Sequence, residues 1–151
     1  MAPRTQPPAP PAPPGGQPAG GLWFCNWKLW MGAKQLLQEA LAPLGLAPRE
    51  FWLLALVREA PTPQRELAER CGMDPSSLVA VLDGLEARGW VERRRHPRDR
   101  RVHLIAPTAA GLALYQQALP LAQRAEAQQL HALGADERRQ LMRLLRKLVH
   151  A

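Results

Sequence analysis

The stretch that decides the fold reads Trp90-Val-Glu-Arg-Arg-Arg-His-Pro-Arg-Asp-Arg-Arg-Val-His-Leu104. Its two arms, residues 90–94 and 101–105, are set to pair as strands. Between them lies a turn, His96-Pro97-Arg98-Asp99, in which proline fixes φ. Six arginines (Arg93, Arg94, Arg95, Arg98, Arg100 and Arg101) stand against Glu92 and Asp99, so six minus two gives the segment +4 of the chain's +7. A guanidinium-rich hairpin is suited to reading polyanions rather than to catalysis.

The sequence before this hairpin supplies a recognition helix. Asp74 is an N-cap, Pro75 the first helical residue, and Ser76 and Ser77 fill the first turn. Leu78, Val81, Leu82 and Leu85 recur at i, i+3, i+4 and i+7, which makes them the core face. The opposite face carries Ser76, Ser77, Val79, Ala80 and Asp83, small residues that let a helix enter the major groove of about 12 Å. Serine bonds several base edges, and valine and alanine touch thymine methyls. The plain alternative is a small-residue face packed on another helix. Gly84 interrupts the helix, and Gly89 is placed to close it in a left-handed cap.

Further upstream, a helix over residues 22–42 carries Trp23, Trp27, Trp30, Lys34 and Leu37 on one stripe and stops at Pro43 and Gly45. A second helix starts near Pro48, is apolar almost all round through Phe51, Leu53, Leu54, Leu56 and Val57, and is ended by Pro61. Thr62 is expected to cap a third helix over residues 64–70, with Pro63 at its first position and Leu67 and Ala68 inward. After the hairpin, Thr108 caps a long helix through about His131, with a kink expected at Pro120. A last helix over about 135–149 puts Leu141, Leu144, Leu145 and Leu148 on one side. Residues 1–20 hold eight of the sixteen prolines and read as a disordered Pro/Ala/Gly-rich tail.

Composition sets the class. At 46% hydrophobic and 22% charged, 151 residues suit one globular domain with a real core. Seventeen of twenty basic residues are arginine, a donor matched to phosphate and base edges, although a coding bias toward arginine contributes to that ratio. Cys25 and Cys71 form no C-x-x-C motif. No apolar run reaches 18 residues and no signal peptide is legible, so no membrane partner and a cytoplasmic location are expected. Phosphate-binding glycine loops are absent. His96, His103, His131 and His150 lack metal spacing. The reading is therefore no enzyme, no metal and no cofactor.

Helix, turn, helix and arginine hairpin, in that order, make a winged helix-turn-helix that binds double-stranded DNA. Arg98 and Arg100 beside the turn are candidate minor-groove fingers. Asp99 lies two residues from Arg101, close enough for a carboxylate–guanidinium pair that braces the hairpin. Arg93, Arg94 and Arg95 divide between phosphate and solvent by strand alternation, and of these Arg94 is taken as a DNA contact. Arg65 and Arg70 on the third helix are phosphate candidates or plain solvated charges.

These features resemble the MarR family of bacterial transcriptional regulators over residues 44–148. The most specific part is Arg-His-Pro-Arg-Asp99-Arg-Arg101 followed by Thr108-Ala-Ala-Gly111, similar to the family's Asp-x-Arg and Thr-x-x-Gly pattern. Residues 83–93 and 133–141 resemble its helix-to-wing segment and its last helix. The implied fold is mainly α with a small β-hairpin wing, a winged helix-turn-helix core (about 46–106) flanked by dimerisation helices (about 22–42 and 109–149). By that resemblance Asp99 and Arg101 are the wing's bracing pair, and Ser76, Ser77, Val79 and Ala80 fall at base-reading positions. Ala80 departs from the larger polar or basic residue of many relatives, which shifts weight to the wing and to DNA shape.

The resemblance also implies a homodimer on a pseudo-palindromic operator, and a repressor released by a small aromatic anionic effector. Trp27, Trp30, Trp52 and His103 are the candidate pocket residues; the alternative is that the tryptophans are dimer core and His103 an ordinary strand residue. Two other readings stay open: a thiol or peroxide sensor working through Cys25, and an architectural DNA-binding protein without a ligand. Cys71 is expected to be buried and inert.

Overall fold

The second helix is the centre of the core. In a computed structural model of the chain, which describes residues 21–99 and 101–149, α1 spans Leu22–Leu41 and a 3-10 turn Ala42–Leu44 leads to α2, Pro48–Val57. Phe51, Leu53, Leu54 and Val57 of α2 are buried. They meet Leu67 and Ala68 of α3 (Gln64–Cys71) and Leu78, Val81, Leu82 and Leu85 of α4 (Pro75–Ala87). Each large side chain removed from water here contributes about 1.5–3 kcal/mol. The apolar stripe read in the sequence is thus the core face of α4. Glu50 reaches back to the backbone N–H of Ala47 at 2.9 Å, fixing the start of α2.

Between α2 and α3 the structure corrects the sequence reading. Helix α2 ends at Val57, ahead of Pro61, and Thr62 does not cap α3. Thr62 and Pro63 instead form a short strand, β1, antiparallel to β3 (His103–Pro107), with Thr62 opposite Ile105 and Pro63 opposite Leu104. The Thr62 hydroxyl donates to Ala60 O at 3.0 Å. Pro63 is tolerated because β1 lies at the sheet edge, where a missing N–H costs no ladder bond.

The wing arms are shifted from the expected ones, the first by one residue and the second by two. Strand β2 is Val91–Arg95 and pairs with β3 from Val91 opposite Pro107 to Arg95 opposite His103. The sheet order is β1-β3-β2, with residues 96–102 left as the wing tip. Arg101 therefore belongs to the tip, not to a strand.

Helix α5 (Ala109–Gln129) runs through Pro120 and packs along α1. The Gln129 amide donates to Leu29 O at 3.2 Å, placing the end of α5 beside the first half of α1. Thr108 caps α5 by accepting from Gly111 N at 3.1 Å. Helix α6 spans Ala135–Val149, as the sequence predicts. Its Leu144, Leu145, Leu148 and Val149 are exposed, and so are Trp23, Leu29, Trp30 and Met31 of α1. Residues 1–20, on which the disordered-tail expectation falls, lie outside the described residues.

One stability test arises here. A Cβ at Gly84, inside α4, meets only Arg88 Nη2 at 3.9 Å. Gly84→Ala should therefore raise unfolding stability by about 0.5–1 kcal/mol through helix propensity and a less free unfolded chain. A lowered denaturation midpoint would show that Gly84 has a packing role.

Candidate nucleic-acid interface

The turn before α4 is fixed by glycine and aspartate. Gly72 takes φ 60° at the end of α3, the left-handed conformation that suits glycine. Asp74 then caps α4, accepting from Ser77 N at 2.9 Å and from the Ser76 hydroxyl at 2.6 Å. These bonds, that of Ser76 first, hold the Asp74 carboxyl well below the usual carboxylate range. A depressed value means the cap supports folding at neutral pH and is lost as pH falls through it.

On the outer face of α4, Ser76, Ser77, Val79, Ala80 and Asp83 are all exposed. Nothing among the described residues covers that face, so the packed-helix alternative is not what the chain itself provides. Ser76 is engaged with the cap, leaving Ser77, Val79 and Ala80 as the less committed reading surface.

The wing arginines divide in a way their spacing did not reveal. Arg93 turns back onto α4. Its guanidinium pairs with Asp83 at 2.6 Å and with Glu86, and its backbone N–H donates to Glu86 Oε1 at 3.1 Å. Its side chain is only 22% exposed. Arg93 thus ties the first wing strand to the recognition helix, and Asp83 belongs to that tie. The readable signal was the acid pair Asp83 and Glu86, one helical turn apart and followed by an arginine strand. Arg94 pairs with Glu92 on its own strand, Arg65 with Glu69 at 3.1 Å, and Arg70 with Glu66 at 3.5 Å. Among the described wing residues, Arg95, Arg98 and Arg101 are exposed and make no ion pair. Arg95 was not singled out from sequence. Arg100 lies outside the described residues.

Asp99 and Arg101 do meet, but not as an ion pair. The Asp99 carboxylate accepts the backbone N–H of Arg101 at 3.0 Å, while Asp99 O accepts Val102 N at 3.0 Å and Val102 O accepts His96 N at 3.0 Å. The brace is therefore Asp99 acting on backbone, and the Arg101 guanidinium remains available.

Behind the wing, Arg88 lies over the Trp90 ring at 4.0 Å and bonds Glu50 at 2.7 Å, Gly84 O and Gly45 O. Gly89 takes φ 68°, and its carbonyl accepts from the Thr108 hydroxyl at 2.6 Å. Thr108 N donates to Trp90 O at 3.1 Å. The start of α5 is thereby clasped to the turn between α4 and the wing.

Solved structures of transcription regulators share this fold. Apo wild-type MarR from E. coli matches with a TM-score of 0.76 at 32% identity, over 85% of this chain and 96% of that one. The chain belongs to the MarR family of winged-helix transcription regulators. The MarR family model matches residues 44–102. A cysteine variant of E. coli MarR complexed with operator DNA matches at 32% identity and TM-score 0.78, over 84% of this chain and 92% of that one. A Mycobacterium tuberculosis MarR family protein in complex with salicylic acid matches at 30% identity and TM-score 0.71, covering 85% and 96%.

The MarR-like Asp-x-Arg and Thr-x-x-Gly motifs now have physical content in this chain. The first closes the wing tip. The second is the clasp, in which Thr108 caps α5 and Gly111 admits the Trp90 backbone: a Cβ at Gly111 would lie 1.9 Å from Trp90 O.

The candidate effector residues lie on three different elements. Trp27 and Trp30 lie on α1, Trp52 on α2 and His103 on β3, and no ring contact joins the three tryptophans. Trp52 packs edge-on against Phe51 with centroids 5.1 Å apart. Lys34 sits over Trp30 and Lys28 over Trp27. Arg58 is held by Tyr115, whose hydroxyl it bonds at 2.5 Å, and by Glu59 at 2.8 Å. Two concave regions of about 550 Å³ lie elsewhere, one between α3 and α4 and one between α5 and α6. Cys25 is exposed, and Cys71 is half-buried with its thiol pushed up by burial. No group of three or more metal-ligating side chains occurs among the described residues, and no single helix there is long and apolar enough to cross a membrane.

Proposed function

We propose that the chain is a repressor that binds a pseudo-palindromic operator as a homodimer, in the cytoplasm, through a binding function and not a catalytic one. The observation that carries this reading is the exposed Ser77–Val79–Ala80 face of α4 beside a wing tip whose Arg95, Arg98 and Arg101 make no ion pair. Arginine fits phosphate and a narrow minor groove, and the small residues admit α4 to the major groove. Ser76, Ser77, Val79 and Ala80 are the proposed base contacts. Arg65, Arg94, Arg98 and Arg100 are the proposed backbone or minor-groove contacts, Arg65 and Arg94 after exchanging a carboxylate for phosphate.

The exposed apolar residues of α1 and α6 support the dimer. Trp23 is 73% and Leu148 71% exposed, among a set of large apolar side chains on these two helices that a second copy of the chain would cover. A two-fold dimer of this kind places two recognition helices about one DNA turn, ~10 base pairs, apart. Release by a small aromatic acid is supported by the relative solved with salicylic acid.

The test is electrophoretic mobility on DNA upstream of the chain's own gene, with and without salicylate. A saturable shift abolished by salicylate is expected. Binding no tighter than to random duplex would remove the operator reading. Tight binding untouched by salicylate and related acids would leave a regulator without this effector.

A further inference from the structure

The wing tip has a second brace that carries no charge. Residue His96 precedes Pro97, which confines its backbone to extended conformations and fixes the φ of the next residue. In that geometry the His96 ring lies over the two amides that follow the proline. Its Nδ1 accepts the backbone N–H of Arg98 and that of Asp99, each at 3.2 Å. The His96 backbone N–H closes the other side of the tip on Val102 O at 3.0 Å. His96 and Asp99 between them therefore take up the backbone N–H groups of Arg98, Asp99, Arg101 and Val102.

We propose that His96, through Nδ1, is a positioning residue for DNA binding, holding the tip in the one shape that presents Arg98 and its neighbours to a groove. This rests on the operator-binding reading above. Nδ1 acts here only as an acceptor, so the ring proton sits on Nε2. With the acceptor removed, the Arg98 and Asp99 amides turn to water and the tip samples several shapes. The arginines must then be ordered when they bind, which weakens the complex without removing any DNA contact. The ring's only role in this account is geometric, so its charge is not required.

That distinction gives a clean test. Asparagine places a side-chain oxygen where Nδ1 lies, one bond beyond Cγ. Glutamine places its amide where Nε2 lies, out of reach of both N–H groups. Operator affinity of His96→Asn, His96→Gln and His96→Ala, all uncharged, is measured beside the parent at one salt concentration. His96→Asn should stay within about twofold, while His96→Gln and His96→Ala should each lose about tenfold, the worth of one to two hydrogen bonds. Affinity for random duplex should change little in all three, because no phosphate contact is deleted. Equal binding by the Asn and Gln variants, or parental binding by the Ala variant, overturns the proposal. A long-range 1H–15N spectrum of the DNA-free protein tests the brace separately from the operator reading. A proton on Nε2 with an unprotonated, hydrogen-bonded Nδ1 supports the brace, and a proton on Nδ1 refutes it.

Discussion

Gly111→Ala should be among the most damaging single-methyl changes in this chain. The added Cβ would sit 1.9 Å from Trp90 O and 2.8 Å from Trp90 C, and both are backbone atoms that no rotamer change can move. Relief requires the start of α5 to lift away from the Gly89–Trp90 turn. That lift breaks the Thr108 hydroxyl bond to Gly89 O and the Thr108 N–H bond to Trp90 O. Overpacking alone costs about 1–3 kcal/mol, and the lost clasp adds to it. The expected result is a loss of about 3 kcal/mol and a melting temperature lower by about 10 °C, read at fixed protein concentration because assembly makes melting concentration-dependent. A shift of under about 2 °C would mean that α5 and the wing turn are not closely joined. Gly84→Ala, which meets only the end of the Arg88 side chain, is the control with the opposite sign.

Arg98→Ala and Arg93→Ala should separate binding from folding within one wing. Arg98 is exposed and makes no ion pair, so its loss should leave the melting curve unchanged and weaken operator binding by about 1–3 kcal/mol. Arg93 holds Asp83, Glu86 and the β2 backbone to one another. Its loss strands two carboxylates against the wing and should lower the melting temperature first, with DNA binding falling as a consequence. Asp99→Ala is the sign test. It removes a negative charge from the DNA face, yet it should weaken binding because the tip loses its Arg101 N–H acceptor. Equal melting curves for the Arg93 and Arg98 variants would refute the division of labour.

Helix α4 was legible because several local signals agree on it. Asp74 and Pro75 mark its start, and four apolar residues at helical spacing mark its buried face. The helix-capping roles of the glycine at 89 and the threonine at 108 were legible for the same reason, since each cap acts within a few residues, whereas the clasp between the two was not. Strand β1 was not: two residues cannot show alternation, and Thr62-Pro63 reads equally well as a helix start. The wing register was blurred because Arg93, Arg94 and Arg95 carry no polar–apolar contrast to say which way each points. Arg93 and His96 were misjudged or missed because their roles depend on contacts across elements or on which ring nitrogen faces an amide. Composition counts a guanidinium or an imidazole but does not say what it touches. Exposed aromatic side chains on a helix look alike in sequence, whether they line a pocket or await another chain.

Measuring affinity for the upstream operator and for a scrambled duplex across a salt series tests the central claim most directly. If the wing and α3 arginines neutralise several phosphates while α4 reads bases, operator affinity should fall by about a thousandfold between roughly 50 and 200 mM salt. The operator should remain at least about a thousandfold preferred over the scrambled duplex throughout. A salt-independent affinity, or equal affinity for the two duplexes at every salt concentration, would contradict the account.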